Sequence, residues 1–201
     1  MKNEEKIIDD FMKSVLADSQ KTKQLFAIGF IGLIGSGKSC VAQKISQKLG
    51  LYVASGDGIR RFLDKNGITG ERIVTRLMKR IGENFFHYLC QNNVSSIIDV
   101  DMIKHYDFFK DESEKFGAKL FVVKIDCPEE IILERIEKRS KDNELGKGAN
   151  LSRAGKKEYF KRKKLHETAS LPKIFFNINT EKDVDEQIDG LILKLKDKNL
   201  F

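Results

Sequence analysis

Apolar residues recur along the chain with two alternating spacings. Near the start, Ile7, Ile8, Phe11, Met12, Val15 and Leu16 fall three and four apart, so residues 3–18 predict an amphipathic helix. The polar run Ser19-Gln20-Lys21-Thr22-Lys23-Gln24 ends it. Phe26-Ala27-Ile28-Gly29-Phe30-Ile31 then predicts a buried strand, and helical spacing returns at Val41, Ala42, Ile45 and Leu49. Leu51 to Ala54 is a second, short strand, closed by Ser55-Gly56-Asp57-Gly58. Ile59 to Leu63 opens a helix that Asn66-Gly67 breaks. Ile73, Val74, Leu77, Met78, Ile81, Phe85, Tyr88 and Leu89 mark a long amphipathic helix over 71–91.

Val94 to Asp99 reads as a third strand and 102–116 as a polar helical segment. Ala118 to Asp126 is a fourth strand, apolar at nearly every position, as buried parallel strands are. Pro128 starts the next helix at a favoured first position. Lys156 to Glu167 predicts a basic helix, Lys173 to Ile178 a fifth strand, and 183–196 a last amphipathic helix. Strands alternating with helices predict an α/β fold: a five-stranded, mostly parallel sheet with helices on both faces. The expected organisation is an N-terminal helical extension, 1–24, on one domain, 25–201. The extension reads first as a packing element and second as a partner-binding helix. Residues 140–155 are polar with three glycines, and a loop of that length in a compact domain is usually functional.

Composition narrows the classes. Forty percent apolar residues suffice for a core. The longest apolar stretch, Leu25 to Ile34, is too short to span a bilayer, and the first residues lack a signal-peptide core. No membrane partner is expected. Cys40, Cys90 and Cys127 are scattered without metal or disulfide spacing, which points to a reducing cytoplasm. His87 reads as structural, while His105 and His166 read as isolated, without zinc partners. The net charge of +7 suits a polyanionic partner, either nucleic acid or phosphorylated small molecules.

One stretch changes the picture. Gly32-Leu33-Ile34-Gly35-Ser36-Gly37-Lys38-Ser39 fits G-x-x-x-x-G-K-[ST], the phosphate-binding loop of ATP- and GTP-using proteins, and it lies between a strand and a helix as that loop must. The fold expected is therefore a P-loop NTPase. Glycines let backbone N–H groups, including that of Cys40, curl around phosphates at a helix N-terminus. Lys38 is expected to reach the β- and γ-phosphates of ATP, and Ser39 to ligand Mg²⁺.

Ligands of such sheets lie beyond the carboxyl ends of the strands. Asp99 closes the third strand, where a carboxylate meets the magnesium shell; Asp101 is a competitor. Asp57 closes the second strand, where it can accept a proton, position an acceptor or cap the following helix. Ser55, Gly56, Arg60 and Arg61 flank it as acceptor-side candidates, with Arg60 preferred. Arg135 and Arg139 share a helix face beside the 140–155 loop, which reads as a lid that brings arginines over the transferred phosphoryl. Arg153 and Arg162 are further candidates. Lys161-Arg162-Lys163-Lys164 reads first as a solvated face.

These residues resemble the nucleoside monophosphate kinases, adenylate kinase above all. Ser55-Gly56-Asp57-Gly58-Ile59-Arg60 is similar to that family's Thr-Gly-Asp-x-x-Arg, which binds the acceptor nucleotide. Phe176-Asn177-Ile178-Asn179-Thr180 is similar to dephospho-coenzyme A kinases and archaeal-type adenylate kinases, where the asparagine region lies near the donor adenine. The resemblance covers about residues 26–196 and implies an acceptor-binding region about 55–93. The family's Asp-Gly-x-Pro-Arg after the third strand is absent; the chain has Asp99-Val100-Asp101-Met102-Ile103-Lys104. The four-cysteine zinc lid is absent as well.

The expectation is an ATP- and Mg²⁺-dependent phosphotransferase. Its acceptor would be a nucleoside monophosphate or a nucleotide-like small molecule. The alternatives are a nucleotide-dependent binding module with slow hydrolysis and a nucleic-acid 5′-end kinase. The expected catalytic groups are Lys38, Asp57, Arg135 and Arg139, with Arg139 and Asn179 also at the nucleotide.

Overall fold

The computed structural model describes residues 2–17, 22–144 and 155–201. Among them the elements run α1 (Lys2–Ala17), β1 (Phe26–Ile31), α2 (Lys38–Leu49), β2 (Tyr52–Ser55), α3 (Gly56–Lys65), α4 (Glu71–Gln91) and β3 (Ser96–Asp101). They continue with α5 (Tyr106–Lys115), β4 (Lys119–Asp126), α6 (Glu129–Glu144), α7 (Lys156–Thr168), β5 (Phe176–Asn179) and α8 (Val184–Lys196). The strands stand in the order β2-β3-β1-β4-β5, and every pairing is parallel. The chain's first strand is thus central. Its neighbours β3 and β4 lie on opposite sides, so the connections diverge there and leave a crevice at the carboxyl ends of the strands.

Every residue of β1 is buried. Side chains alternate across a strand, so Phe26, Ile28 and Phe30 pack toward Val41, Ala42 and Ile45 of α2 and Ile188, Leu191 and Leu195 of α8. Ala27 and Ile31 pack toward Phe86 and Cys90 of α4 and toward Met102. A Cβ on Gly29 would lie 1.9 Å from Met102 Cε, so the missing side chain makes room for that methionine. Both faces are covered, which is why β1 and β4 read as continuous apolar runs rather than alternating ones.

Several boundaries differ from the sequence expectation. β3 starts at Ser96, because Val94 donates back to the Leu89 carbonyl and Ser95 Oγ accepts from Phe26 N–H, closing the α4 end instead of pairing in the ladder. β5 begins at Phe176, β4 at Lys119, and α6 one residue after Pro128. The expected helical segment 102–116 breaks at His105 into a single 3-10 turn, Met102–Lys104, and α5. Between β1 and β3 the register jumps: Gly29 faces Ile98, but Phe30 faces Asp101. Asp99 and Val100 therefore form a bulge, a device that re-aims side chains where a strand leaves a sheet.

Helix α1 packs on the layer made by α3 and α4. Its buried residues Phe11, Met12 and Val15 join Leu63, Leu77, Ile81 and Phe85 in one cluster. The Phe11 ring meets Phe62 and Phe85 edge-on, with centroids 5.2 and 5.0 Å apart. Glu4 pairs with Arg76 and Arg80 of α4. No helix among the described residues is long and apolar enough to cross a membrane. Replacing Phe11 by alanine removes a buried ring with two aromatic partners and is expected to cost about 3–5 kcal/mol of unfolding free energy. Urea denaturation measures it; a loss below about 1 kcal/mol would show that α1 does not unfold with the rest.

Candidate active site

Gly32 to Gly37 forms the loop between β1 and α2. Gly37 precedes the helix at φ 100°, a conformation that glycine adopts without strain. Gly32 is constrained by space: a Cβ there would lie 2.8 Å from the Ile125 carbonyl oxygen of β4. Leu33 and Ile34 pack against Ile132 and Ile136 of α6 and Tyr159 of α7, which seats the loop on both helices. The Ser36 carbonyl accepts a hydrogen bond from Thr180 Oγ1 at 2.8 Å. The Ser36 hydroxyl is buried with no hydrogen-bond partner among the described residues.

Lys38 begins α2 and curls back onto the loop. Its Nζ donates to the carbonyl oxygens of Gly32 at 2.6 Å and Leu33 at 2.9 Å. Burial pulls the Lys38 pKa down; the carboxylates of Asp101 and Asp99 oppose that shift, and the Arg162 guanidinium adds to it. Asp99 lies beside Ser39. Burial holds its carboxyl above the ordinary range, against the pull of Ser39 and Lys38 and with the help of Asp57. Burial alone would raise Asp101 too, but the hydrogen bond and charge of His166, with Lys38, hold it below the ordinary range.

These groups line one cavity of about 860 Å³ at the carboxyl ends of the strands. The loop and Lys38 form one wall. Ser55, Gly56 and Asp57 close it on the β2 side, and Asp99 to Asp101 on the β3 side. Ser55 caps α3 by accepting the Gly58 N–H at 3.0 Å, which fixes Asp57 in the first turn at the crevice. Arg135 and Arg139 of α6 and Arg162 of α7 stand across from them. Burial lowers the Arg139 pKa and Asp57 opposes the shift, so the two side chains act on each other across the space.

The structure gathers most, but not all, of the expected residues. The cavity lining includes neither Arg60 nor Arg61 among the described residues. They sit one turn along α3 from Asp57, roughly 5 Å farther from the strand end. Arg135 lines the cavity and also donates to Thr180 Oγ1 at 3.0 Å and to the Thr180 carbonyl at 3.2 Å, clamping the Thr180 turn to the glycine loop. Asn179 lies beside that turn. Its backbone N–H donates to Gln187 and its side chain accepts from Glu181 N–H. Arg153 and most of the expected lid lie outside the described residues.

Three readings change. His166 is not isolated: its Nε2 lies 2.7 Å from Asp101 Oδ2. His105 lines the cavity. His87, read as structural, is half-exposed, and its Nδ1 pairs with Glu112 at 2.8 Å. The stretch Lys161 to Lys164 is not one solvated face either, since Arg162 lines the cavity and Lys163 pairs with Glu129. Helical spacing could have placed Arg162 and His166 on one face; no sequence signal joins His166 to a strand end 65 residues away.

The residues suit a nucleoside triphosphate with a divalent cation. Lys38 and Arg162 bring two like charges to one cavity, a repulsion that an anion would relieve. The loop holds an unsatisfied hydroxyl, and Ser39 with Asp99 offers a hydroxyl and a carboxylate oxygen side by side, the hard ligands Mg²⁺ takes.

A glycine loop between the central strand and its helix, in a parallel sheet of this order, defines the P-loop class with a kinase-like fold. Residues 28–157, nearly two thirds of the chain, match the family described as AAA domain, and the chain belongs to that family. No curated protein matches it. Among solved structures, it is similar to the APS kinase CysC of Mycobacterium tuberculosis in complex with AMPPNP and APS. That match has 20% identity and a TM-score of 0.54, covering 86% of this chain and 98% of that one. A sugar kinase from Janibacter sp. matches at 17% identity and a TM-score of 0.54, covering 86% and 95%. A gluconokinase from Sinorhizobium meliloti matches at 16% identity and a TM-score of 0.52, covering 87% and 93%. These likenesses show the fold. The family is broader than the adenylate kinase and dephospho-coenzyme A kinase types that the short motifs resemble.

The three thiols are set apart by their surroundings. Cys40 is exposed on the cavity wall. Burial, with Glu112 nearby, pushes the Cys90 thiol up to about 12. A thiolate is the reactive form. Maleimide labelling followed by peptide mapping should therefore modify Cys40 in the native protein and Cys90 only after denaturation. Native labelling of Cys90 at a comparable rate would contradict this burial.

Proposed function

We propose that the protein is an ATP- and Mg²⁺-dependent phosphotransferase acting on a small molecule. The observation that carries this reading is the gathering of Lys38 and Arg162 in one cavity with Asp57, Asp99 and Asp101. Cations alone would suit any phosphate ligand. Cations opposite strand-end carboxylates suit a site where a phosphoryl group moves between two held oxygens. In this reading the loop amides and Lys38 bind the donor phosphates. Ser39 and Asp99 would hold Mg²⁺, which neutralises charge on those phosphates when bound. Arg139 and Arg162 spread the charge that develops on transfer. Arg135, at the cavity wall, keeps Thr180 against the loop at the donor side, where Asn179 also lies.

Ser55, Gly56 and Asp57 form the acceptor side, with Arg60 and Arg61 one turn farther along α3. A nucleoside monophosphate or another nucleotide-like acceptor fits the Ser-Gly-Asp-x-x-Arg pattern. The similar kinases add APS and sugar acids as acceptors to test, because the pattern alone does not distinguish a phosphate from a hydroxyl acceptor. A hydroxyl acceptor needs a base, and Asp57 is the carboxylate placed for it; a phosphate acceptor needs positioning only.

The test is ADP production against a panel of nucleoside monophosphates, dephospho-coenzyme A, APS, gluconate and a 5′-hydroxyl oligonucleotide. Stimulation by one small molecule is expected; absence of stimulation by any member would overturn the kinase reading. Lys38→Ala should abolish ATP-dependent turnover, on the order of a thousandfold, and unchanged turnover there would remove the donor site as assigned. Asp57→Asn then separates the acceptors. A loss of about a hundredfold or more identifies a hydroxyl, and a loss under about tenfold a phosphate.

A further inference from the structure

Helix α7 is held over the cavity by few contacts. Of its 13 residues, Tyr159 is the buried one, so apolar packing fixes little beyond its first turns. Polar ties must do the rest. Lys156 pairs with Glu137 and Lys163 with Glu129, but these side chains are between 33% and 53% exposed, where water competes for both partners. The His166–Asp101 pair is different. Each side chain is only 14% exposed, and the 2.7 Å bond joins the last turn of α7 to the last residue of β3. An ionised carboxylate only accepts, so Nε2 is the donor.

Asp101 is fully engaged. Oδ2 takes His166, and Oδ1 lies 3.4 Å from the Ile103 N–H at the start of the 3-10 turn. It is therefore a strut between sheet and helix rather than a loose carboxylate. Arg162 lies one turn before His166 and so shares its helix face. That face is the one turned to the cavity, where Arg162 opposes the charge of Lys38.

We propose that His166 is a positioning residue: its hydrogen bond to Asp101 docks α7 on the end of β3 and thereby holds Arg162 across the cavity from Lys38, against the terminal phosphate of a bound triphosphate. The second half rests on the nucleotide-binding reading above; the docking itself does not. An arginine that meets the terminal phosphate contributes to the binding of a triphosphate and not of a diphosphate. The predicted signature is therefore a difference between two ligands, which a general loss of folding would not produce.

The test uses the full chain and measures dissociation constants for AMPPNP and ADP. His166→Leu should weaken AMPPNP about tenfold, the scale of one hydrogen bond to a charged group, and leave ADP within about twofold. His166→Gln keeps an N–H near the Nε2 position and should recover AMPPNP binding. Arg162→Ala should reproduce the His166→Leu loss, and the double variant should lose no more than either alone, because both act through one contact. Unchanged AMPPNP binding in His166→Leu, equal losses for both nucleotides, no recovery in His166→Gln, or additive losses in the double variant would each overturn the proposal. If the wild-type chain binds neither nucleotide, the functional reading has failed, and hydrogen exchange decides the docking. Amides of residues 156–168 should then exchange faster in His166→Leu and recover in His166→Gln; unchanged exchange in His166→Leu overturns the strut.

Discussion

A lysine ammonium taken out of water has to be met by oxygen atoms, and much of this site follows from how Lys38 is met. Two loop carbonyls take its protons, and two strand-end carboxylates, Asp99 and Asp101, offset the cost of burying the charge. Each of those oxygens is delivered by the fold. The carbonyls belong to Gly32 and Leu33, at a turn where Gly32 has no room for a Cβ beside β4. The carboxylates flank a bulge in β3 that separates Asp99, opposite Ser55 of β2, from Asp101, opposite Phe30 of β1. Moving the bulge by one residue would aim a different set of side chains at the ammonium.

The sheet order explains why these groups meet. With β1 in the centre, β3 delivers Asp99 and Asp101 from one side and β4 leads directly to α6 on the other. α6 then presents a face whose apolar residues, Ile132 and Ile136, hold the loop, while Arg135 and Arg139 extend past it. The contribution of β5 is less direct. The turn after it places Thr180 beside Gly37 and Ser36, and Arg135 secures that turn. Both apolar and polar contacts thus converge on six loop residues, which makes the loop a fixed reference against which α6, α7 and the β5 end are positioned.

What could be read from the sequence divides along a physical line. The loop, its strand and its helix are contiguous, and their function is carried by backbone geometry that glycine spacing reports directly. The alternation of buried strands and amphipathic helices likewise survives in one dimension, so the parallel α/β architecture was legible, as were Asp57 and Asp99 at strand ends. Strand limits were legible only to within two or three residues, because Val94 is apolar and Lys173 precedes the apolar run Ile174 to Phe176, yet neither pairs in the ladder. His166 illustrates what was not legible. A histidine in a lysine-rich helix carries no mark of its partner, and the contact with Asp101 exists only once α7 crosses the end of β3. Arg60 shows the converse: a motif fixes its spacing from Asp57, yet the turn of α3 carries it beyond the cavity lining.

The same line separates what the donor and acceptor sides can reveal. Triphosphates differ little in the part a glycine loop holds, so one short pattern suffices wherever it occurs. An acceptor is recognised by its whole shape, through side chains that the variable elements around a shared fold supply. Specificity for the acceptor therefore resides in which side chains the variable elements bring to a constant centre. Two such elements meet the cavity here: the first turn of α3, fixed by the Ser55 cap, and the face of α7, joined to Asp101. One carries a carboxylate, Asp57, and the other a guanidinium, Arg162, and both line the cavity beside the phosphate loop.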